Sequence, residues 1–291
     1  MLRKTLAKLV YGLKTRIYEG GKRQETLAVD HRVELLRGGK GPPLVYLNSL
    51  LGESGWLPFH QRLAGSFDVI APVSPSIGTD ADAMEDVAFG FLDLLDGLGL
   101  KKAHVVGVSL GGWIAAEVAV RHPERVDRLV IADALGLADG VPSLATTDGA
   151  RQDELRRLLF ANPSGPMAEI ALPRKQPALD GFDSAMRFVD RVLPDGAARP
   201  FLSPKLAGRL RRITSPTLVL WGERDALLPL ACAEAWRDGI PGAELRVLPA
   251  SGHLPQFEQE EAFAAAVTGF LSARSRPTPG ARRALTPGSP A

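Results

Sequence analysis

Short apolar runs alternate with longer segments of helical periodicity along most of the chain. Eight short runs predict strands, at residues 24–29, 31–36, 43–47, 67–71, 103–106, 128–132, 217–221 and 243–248. The first two are expected to pair antiparallel, and helical spacing over 81–98 and 113–120 predicts helices between later strands. This alternation predicts an α/β fold, with a mostly parallel, roughly eight-stranded sheet and helices on both faces.

The alternation stops between Ala134 and about Leu210. No β-type run occurs there, and helical spacing recurs at 151–160 and 183–193 among prolines and glycines. We therefore expect a helical insertion after the sixth strand. The predicted organisation is a basic N-terminal arm or helix (1–24), the first part of the core (25–133), the insertion (134–210), the second part of the core (211–272) and a disordered tail (273–291).

Composition and charge limit the partners of the chain. Its 291 residues with 45% hydrophobic content suit one large domain with an insertion. Residues 1–18 and 273–291 contain nine basic residues, five in the first stretch and four in the second, and no acids. Because the whole chain has a net charge of only +2, the part between them is acidic. We therefore predict no nucleic-acid partner for the domain. The single cysteine, Cys232, cannot form an internal disulfide, which favours a reducing, cytoplasmic location.

The N-terminal arm carries apolar residues at helical spacing with lysines and arginines between them. A helix packed on the domain is the favoured interpretation, and a weak contact with an anionic membrane surface is the alternative. The arm lacks the unbroken apolar run of a secretory signal or of a membrane-spanning helix.

A Gly-Val-Ser-Leu-Gly motif at Gly107–Gly111 lies between a predicted buried strand and a predicted helix. Glycines two positions before and after Ser109 allow a sharp turn that holds the serine in a strained conformation with its hydroxyl exposed. The following helix presents unpaired N–H groups and its positive dipole end to negative charge that develops there. This context predicts that Ser109 is a nucleophile. An ordinary glycine-rich connection is the alternative.

A serine nucleophile requires a base and an acid that orients the base. Of the five histidines, His253 follows a predicted strand in a loop of small residues. Asp225 also lies beyond a strand end, and Asp133, directly after another strand, is the alternative acid. The order Ser109, Asp225, His253 is the one expected when a parallel sheet carries a triad at its carboxyl edge. No metal-ligand spacing or dinucleotide-binding glycine loop occurs, so no cofactor is expected.

The sequence resembles the α/β-hydrolase superfamily over roughly residues 25–272. Three motifs carry the resemblance: Gly107–Gly111, Trp221–Asp225 and Ser251–Pro255. It implies a serine hydrolase whose insertion is a helical cap over the mouth of the site. It also implies an oxyanion hole of two backbone N–H groups, those of Leu110 and, in the loop after the third strand, Leu50.

Two stretches depart from the family pattern. Asn48 and Ser49 stand where members usually have His-Gly, and Pro75–Asp80 stands where they often have Pro-Gly-x-Gly-x-Ser. The predicted activity is hydrolysis of a small-molecule ester with an apolar acyl group, through an acyl-enzyme. The alternatives are carbon–carbon bond hydrolysis by the same residues and a non-catalytic binding protein that keeps the fold.

Overall fold

The structure is a computed structural model. It describes residues 22–28, 31–53, 55–73, 83–137, 149–173, 187, 189, 191–192, 202–203 and 205–273. The predicted N-terminal arm up to residue 21, the segment Pro75–Asp80 and the predicted tail from residue 274 lie outside these ranges. Within the described part of the chain, no helix combines the length and apolarity needed to cross a membrane.

Eight strands form one sheet in the order β1-β2-β4-β3-β5-β6-β7-β8. Their bounds are Lys22–Ala28, His31–Gly38, Pro43–Leu47, Asp68–Pro72, Ala103–Val108, Val126–Ala132, Thr217–Gly222 and Glu244–Leu248. The pairs β1–β2 and β2–β4 are antiparallel, and all other neighbouring pairs are parallel. The predicted α/β class and strand number are therefore confirmed.

Helices cover both faces of this sheet. In chain order they are α1 Pro58–Leu63, α2 Met84–Gly97, α3 Leu110–Arg121, α4 Gly149–Leu159, α5 Pro166–Ala171, α6 Leu206–Arg209, α7 Leu230–Gly239, α8 Pro255–Glu258 and α9 Glu260–Leu271. Because side chains alternate along a strand, β3 divides between two apolar clusters. Val45 belongs to the cluster that contains Phe91 of α2, whereas Tyr46 packs in the cluster that contains Phe263 of α9.

The parallel strands bring their carboxyl ends to one edge of the sheet. The register pairs Gly107 of β5 with Ile131 of β6, and Ala132 of β6 with Leu220 of β7. Residues that directly follow these three strands therefore lie beside one another. Gly222 of β7 is paired in turn with Leu248 of β8. The arrangement thus brings together the three sequence motifs that carry the family resemblance, which follow β5, β7 and β8.

The described part of the insertion contains helices α4 and α5, α6 near its end, and helical residues within the predicted segment 183–193. Arg156 of α4 is buried and donates to the carbonyl of Leu172 and the carboxylate of Glu169, so α4 and α5 are joined. The N–H of Ser203 donates to the carbonyl of Gly136, which brings the two ends of the insertion together. The proposed boundaries of the insertion stay a prediction.

A buried histidine, His60 of α1, packs against the rings of Tyr46, Trp56 and Phe59. Its Nδ1 accepts a hydrogen bond from the N–H of Leu57 at 3.0 Å, which requires the neutral ring with its proton on Nε2. Burial lowers the pKa of His60 to about 3. The folded protein therefore holds this imidazole uncharged at pH values where the unfolded chain binds a proton.

We expect His60 to make the fold less stable as the pH falls below about 6.5, the ordinary histidine pKa. Because its folded pKa is depressed, its contribution is complete above that pH and is lost on the way down to pH 3. The slope from this residue is about 1.4 kcal/mol per pH unit. Urea unfolding at several pH values should show this slope in the wild type and a shallower one in His60→Phe. Equal slopes in the two proteins would contradict it.

Candidate active site

Ser109 occupies the tight turn between β5 and α3, with φ 55° and ψ −115°. No side chain fits at the glycines two residues to either side, since a Cβ at Gly107 would collide with the carbonyl of Gly111 and one at Gly111 with the carbonyl of Leu47. The N–H of Ser109 donates to the carbonyl of Ala132 at 2.8 Å. Such a positive φ at a non-glycine residue is strained, and the surrounding contacts hold the hydroxyl at the start of α3.

The structure brings the three predicted triad residues into one hydrogen-bonded chain. His253 Nε2 lies 2.8 Å from Ser109 Oγ, and His253 Nδ1 lies 2.8 Å from Asp225 Oδ2. All three residues are buried. The other oxygen of Asp225, Oδ1, accepts the N–H groups of Leu227 and Leu228, both at 2.9 Å, which fixes the carboxylate. Because a carboxylate only accepts, Nδ1 donates to Asp225 and Nε2 is left to take the serine proton.

Asp133, the alternative acid, lies close to both Asp225 and His253. It is fully buried with φ 44°, and its Oδ1 accepts the N–H of Gly222 at 2.8 Å. Its Oδ2 has no hydrogen-bond partner among the described residues. Burial, and secondarily the charge of Asp225, raise the pKa of Asp133 well above its ordinary value. The hydrogen bond to His253 belongs to Asp225, which favours Asp225 as the acid of the triad.

Asp133, Asp225 and His253 form a group whose geometry resembles a metal site. Ligand atoms of Asp133, Asp225 and His253 lie within 4.8 Å of one another, the one such group found in the described ranges. Both ring nitrogens of His253 already contact protein partners, Ser109 on one side and Asp225 on the other. The geometry therefore suits proton transfer, and a metal ion would have to break one of these contacts.

The loop after β3 packs against the nucleophile turn. The N–H of Gly111 donates to the carbonyl of Asn48 at 3.1 Å. The side-chain amide of Asn48 donates to the carbonyls of Glu53 and Pro72, both at 3.0 Å. Asn48 thus ties the loop to itself and to the end of β4. These bonds give a physical reason for asparagine at a position where the family usually has histidine.

The backbone N–H groups of this loop differ in whether they already donate to an acceptor in the protein. The N–H of Ser49 donates to Glu53 Oε2 at 2.8 Å, and the N–H of Leu51 donates to Ser49 Oγ at 3.2 Å. The N–H groups of Leu50 and Leu110 donate to no acceptor in the described part of the chain. These two N–H groups are therefore available for an oxyanion, as the sequence predicts. Their role in catalysis stays a prediction.

Glu53, a buried carboxyl beside the site, was not predicted from the sequence. Its Oε1 accepts the side-chain amide of Gln256 of α8 at 2.9 Å, while its other oxygen holds Ser49. Burial raises the pKa of Glu53. Glu53 therefore links the predicted oxyanion loop to the helix that follows His253. An acid among apolar residues just beyond a strand end is the one sequence signal that could have pointed to it.

Comparisons with known proteins agree with the fold. The family model described as "Alpha/beta hydrolase family" matches residues 45–266. The chain is 32% identical over 252 residues to the dihydrolipoyllysine-residue acetyltransferase component of the acetoin cleaving system of Pseudomonas putida. That match covers 81% of this chain and 65% of the relative, so the chain spans just under two thirds of the relative's length.

A second relative matches over nearly its whole length. The 2-hydroxy-6-oxononadienedioate/2-hydroxy-6-oxononatrienedioate hydrolase of Paraburkholderia phymatum is 28% identical over 287 residues, covering 89% of this chain and 91% of the relative. Among solved structures, a bacterial membrane phospholipase A superposes with a TM-score of 0.75 at 23% identity, with 91% of each chain covered. At that identity the superposition supports the fold alone.

Proposed function

The chain belongs to the alpha/beta hydrolase family, and we propose that it is a serine hydrolase that cleaves a carboxylic ester through an acyl-enzyme. The observation that carries this proposal is the buried hydrogen-bonded chain from Ser109 through His253 to Asp225, with 2.8 Å at each step. A nucleophile within hydrogen-bond reach of a base, and a base oriented by an acid, is the arrangement that activates a serine.

In the acylation step, Ser109 Oγ attacks the carbonyl carbon while its proton moves to His253 Nε2. Asp225 stabilises the imidazolium that forms, because its carboxylate contacts Nδ1. The carbonyl oxygen becomes negative and is held by the N–H groups of Leu50 and Leu110. Each donor of this kind contributes on the order of 10² to 10³ in kcat.

Collapse of the tetrahedral intermediate breaks the bond to the leaving alcohol, which receives its proton from His253. The acyl group is then bonded to Ser109 Oγ. Water attacks this ester in the second half of the reaction, with His253 again taking the proton. The free acid leaves and Ser109 Oγ regains its hydrogen, so every proton is returned and no cofactor is consumed.

We propose a substrate with a small or medium apolar acyl group. Leu50 and Leu110, which carry the two proposed oxyanion donors, belong to one apolar cluster with Leu155 and Leu159 of α4. Leu50 and Leu110 are themselves buried, so the immediate surroundings of the two proposed donors are hydrocarbon. An apolar acyl chain bound there loses contact with water, which favours binding in proportion to the area buried.

Carbon–carbon bond hydrolysis is the second candidate. The Paraburkholderia relative, named for the hydrolysis of 2-hydroxy-6-oxo acids, matches 89% of this chain. The same serine can attack a ketone carbonyl, after which the carbon–carbon bond breaks and the leaving carbon takes the proton from His253. This candidate differs from the first in the leaving group.

Turnover of two substrate series separates the candidates. We expect measurable kcat/KM with p-nitrophenyl acetate and butyrate, and slower turnover of a 2-hydroxy-6-oxo dienoate. Both activities should be absent in Ser109→Ala. A dienoate that is turned over faster than the esters would replace the first candidate by the second. A folded wild type that turns over neither substrate would favour a non-catalytic binding protein.

A further inference from the structure

The carboxylate of Glu258, at the end of α8, accepts three backbone hydrogen bonds from two distant parts of the chain. Oε2 accepts the N–H of Gly252 at 2.7 Å and the N–H of Ala161 at 3.0 Å. Oε1 accepts the N–H of Asn162 at 3.1 Å. Gly252 directly precedes His253, whereas Ala161 and Asn162 follow α4 in the insertion. One side chain therefore connects the insertion to the loop that carries His253, residues 249–254, which we call the histidine loop.

The two backbones that Glu258 joins lie in direct contact. A Cβ at Gly252 would lie 2.6 Å from the nitrogen of Ala161 and 2.9 Å from the carbonyl oxygen of Leu159. Only glycine leaves room for so close an approach. The end of α4 therefore rests on the histidine loop itself, and the loop and α4 cannot separate without breaking the bonds to Glu258.

Other contacts hold the residues that precede Gly252, and one of them comes from the side-chain amide of Gln259, which donates to the carbonyl of Ala250 at 3.3 Å. The N–H of Arg224 donates to the carbonyl of Ser251 at 2.8 Å, and the N–H of Ala250 donates to Glu223 Oε2 at 3.1 Å. These bonds fix the residues before Gly252. The N–H of Gly252 is held by Glu258 alone among the described residues. The backbone that aims His253 at Ser109 therefore depends on the same carboxylate that holds α4.

We propose that Glu258 is a positioning residue that holds the insertion against the histidine loop. The hydrogen bond from His253 to Ser109 then forms fully only when the end of α4 lies against that loop. This inference rests on the proposed function, because it concerns the base of the proposed triad. Bonds to a charged carboxylate are stronger than those between neutral groups, which suits a link between two loops. Leu155 and Leu159 of α4 belong to the same apolar cluster as Leu50 and Leu110.

The test compares Glu258→Ala and Glu258→Gln with the wild type and with Glu261→Gln. Glu261 is a matched control, since it is an exposed carboxylate three residues further on that pairs with Arg62. Three experiments are run on each protein: steady-state kinetics with p-nitrophenyl acetate, which give kcat and KM, the rate at which a fluorophosphonate labels Ser109, and amide exchange of residues 149–173, β5 and β7. Urea unfolding establishes that each variant is folded.

Glu258→Ala should lower kcat and the labelling rate on the order of 10²-fold, with little change in KM, because the base is displaced rather than the substrate site. Amide exchange should become faster at Ala161 and Asn162 and stay unchanged in β5 and β7. Glu258→Gln, which keeps one acceptor oxygen but turns an amide toward a backbone N–H, should fall between the wild type and Glu258→Ala. If Glu258→Ala does not fold, this second variant carries the test.

Two results would overturn the proposal: a folded Glu258→Ala that labels at the wild-type rate, or a loss of labelling without faster exchange at Ala161 and Asn162. Glu261→Gln should match the wild type in every measurement. A wild type that does not label would remove the proposed function itself and with it the role of Glu258 in the triad. The exchange data would then still report whether Glu258 fastens α4, so the two failures are distinguishable.

Discussion

Replacing Ser109, His253 or both with alanine should lower kcat for a short p-nitrophenyl ester by nearly the same factor, on the order of 10⁶. The reason is that the two residues act as one unit, with His253 Nε2 2.8 Å from Ser109 Oγ. A serine without its base is a weak nucleophile, and a base without the serine has no proton to accept. The double variant therefore loses little beyond either single variant.

Ser215→Ala is the matched control for this comparison. Ser215 is also buried, and its Oγ has no hydrogen-bond partner among the described residues. Removing that hydroxyl should leave kcat unchanged, because Ser215 lies before β7 at the end of the strand away from the triad. Losses that add in the double variant, or a serine-to-alanine loss much smaller than the histidine loss, would show that the two residues do not act together.

Asp225→Asn should lower kcat on the order of 10⁴-fold. An amide in place of the carboxylate can offer a donor to Nδ1, so the ring proton moves to Nε2 and the base faces Ser109 in the wrong tautomer. The variant also lacks the negative charge that stabilises the imidazolium in the wild type. The measurement is kcat for the same ester, with circular dichroism to establish that the variant keeps its fold.

Asp133→Asn is the matched variant, and it should cost far less than Asp225→Asn. Burial and the charge of Asp225 raise the pKa of Asp133, which favours a neutral carboxyl. An asparagine there is neutral, has the same shape and keeps an oxygen for the N–H of Gly222. A raised folded pKa also means that the stability contributed by Asp133 is present at low pH and lost as pH rises through that pKa. Equal losses in both variants would contradict the assignment of Asp225 alone, and a larger loss in Asp133→Asn would make Asp133 the acid.

The strands of the sheet, helices α2, α3 and α4 and the members of the proposed triad could be predicted because each depends on local sequence. A β-branched run predicts a strand, and Gly107 and Gly111 frame Ser109 at a turn that only glycines permit. The exchange of β3 and β4 in the sheet order has no local signal, since it depends on how strands pair across the whole domain. Helices α1 and α5 were missed because six residues each are too few to show a helical period.

The supporting groups of the site could not be predicted from the sequence. Glu258 bonds Ala161, which is 97 residues away in the sequence, as well as the nearby Gly252. Glu53 is linked to Gln256 in the same way. Both are ordinary glutamates in sequence, and their roles depend on burial and on the positions of N–H groups far along the chain. The choice between Asp133 and Asp225 likewise needed the positions of their oxygens around His253.

Covalent labelling tests the central claim most directly, which is that Ser109 is activated by His253 and Asp225. The folded wild type is treated with a fluorophosphonate, and the modified residue is located by mass spectrometry of its peptides. The expected result is one label on Ser109, absent from Ser109→Ala and strongly slowed in His253→Ala. A folded wild type that carries no label, or a label that persists in Ser109→Ala, would contradict the proposed function.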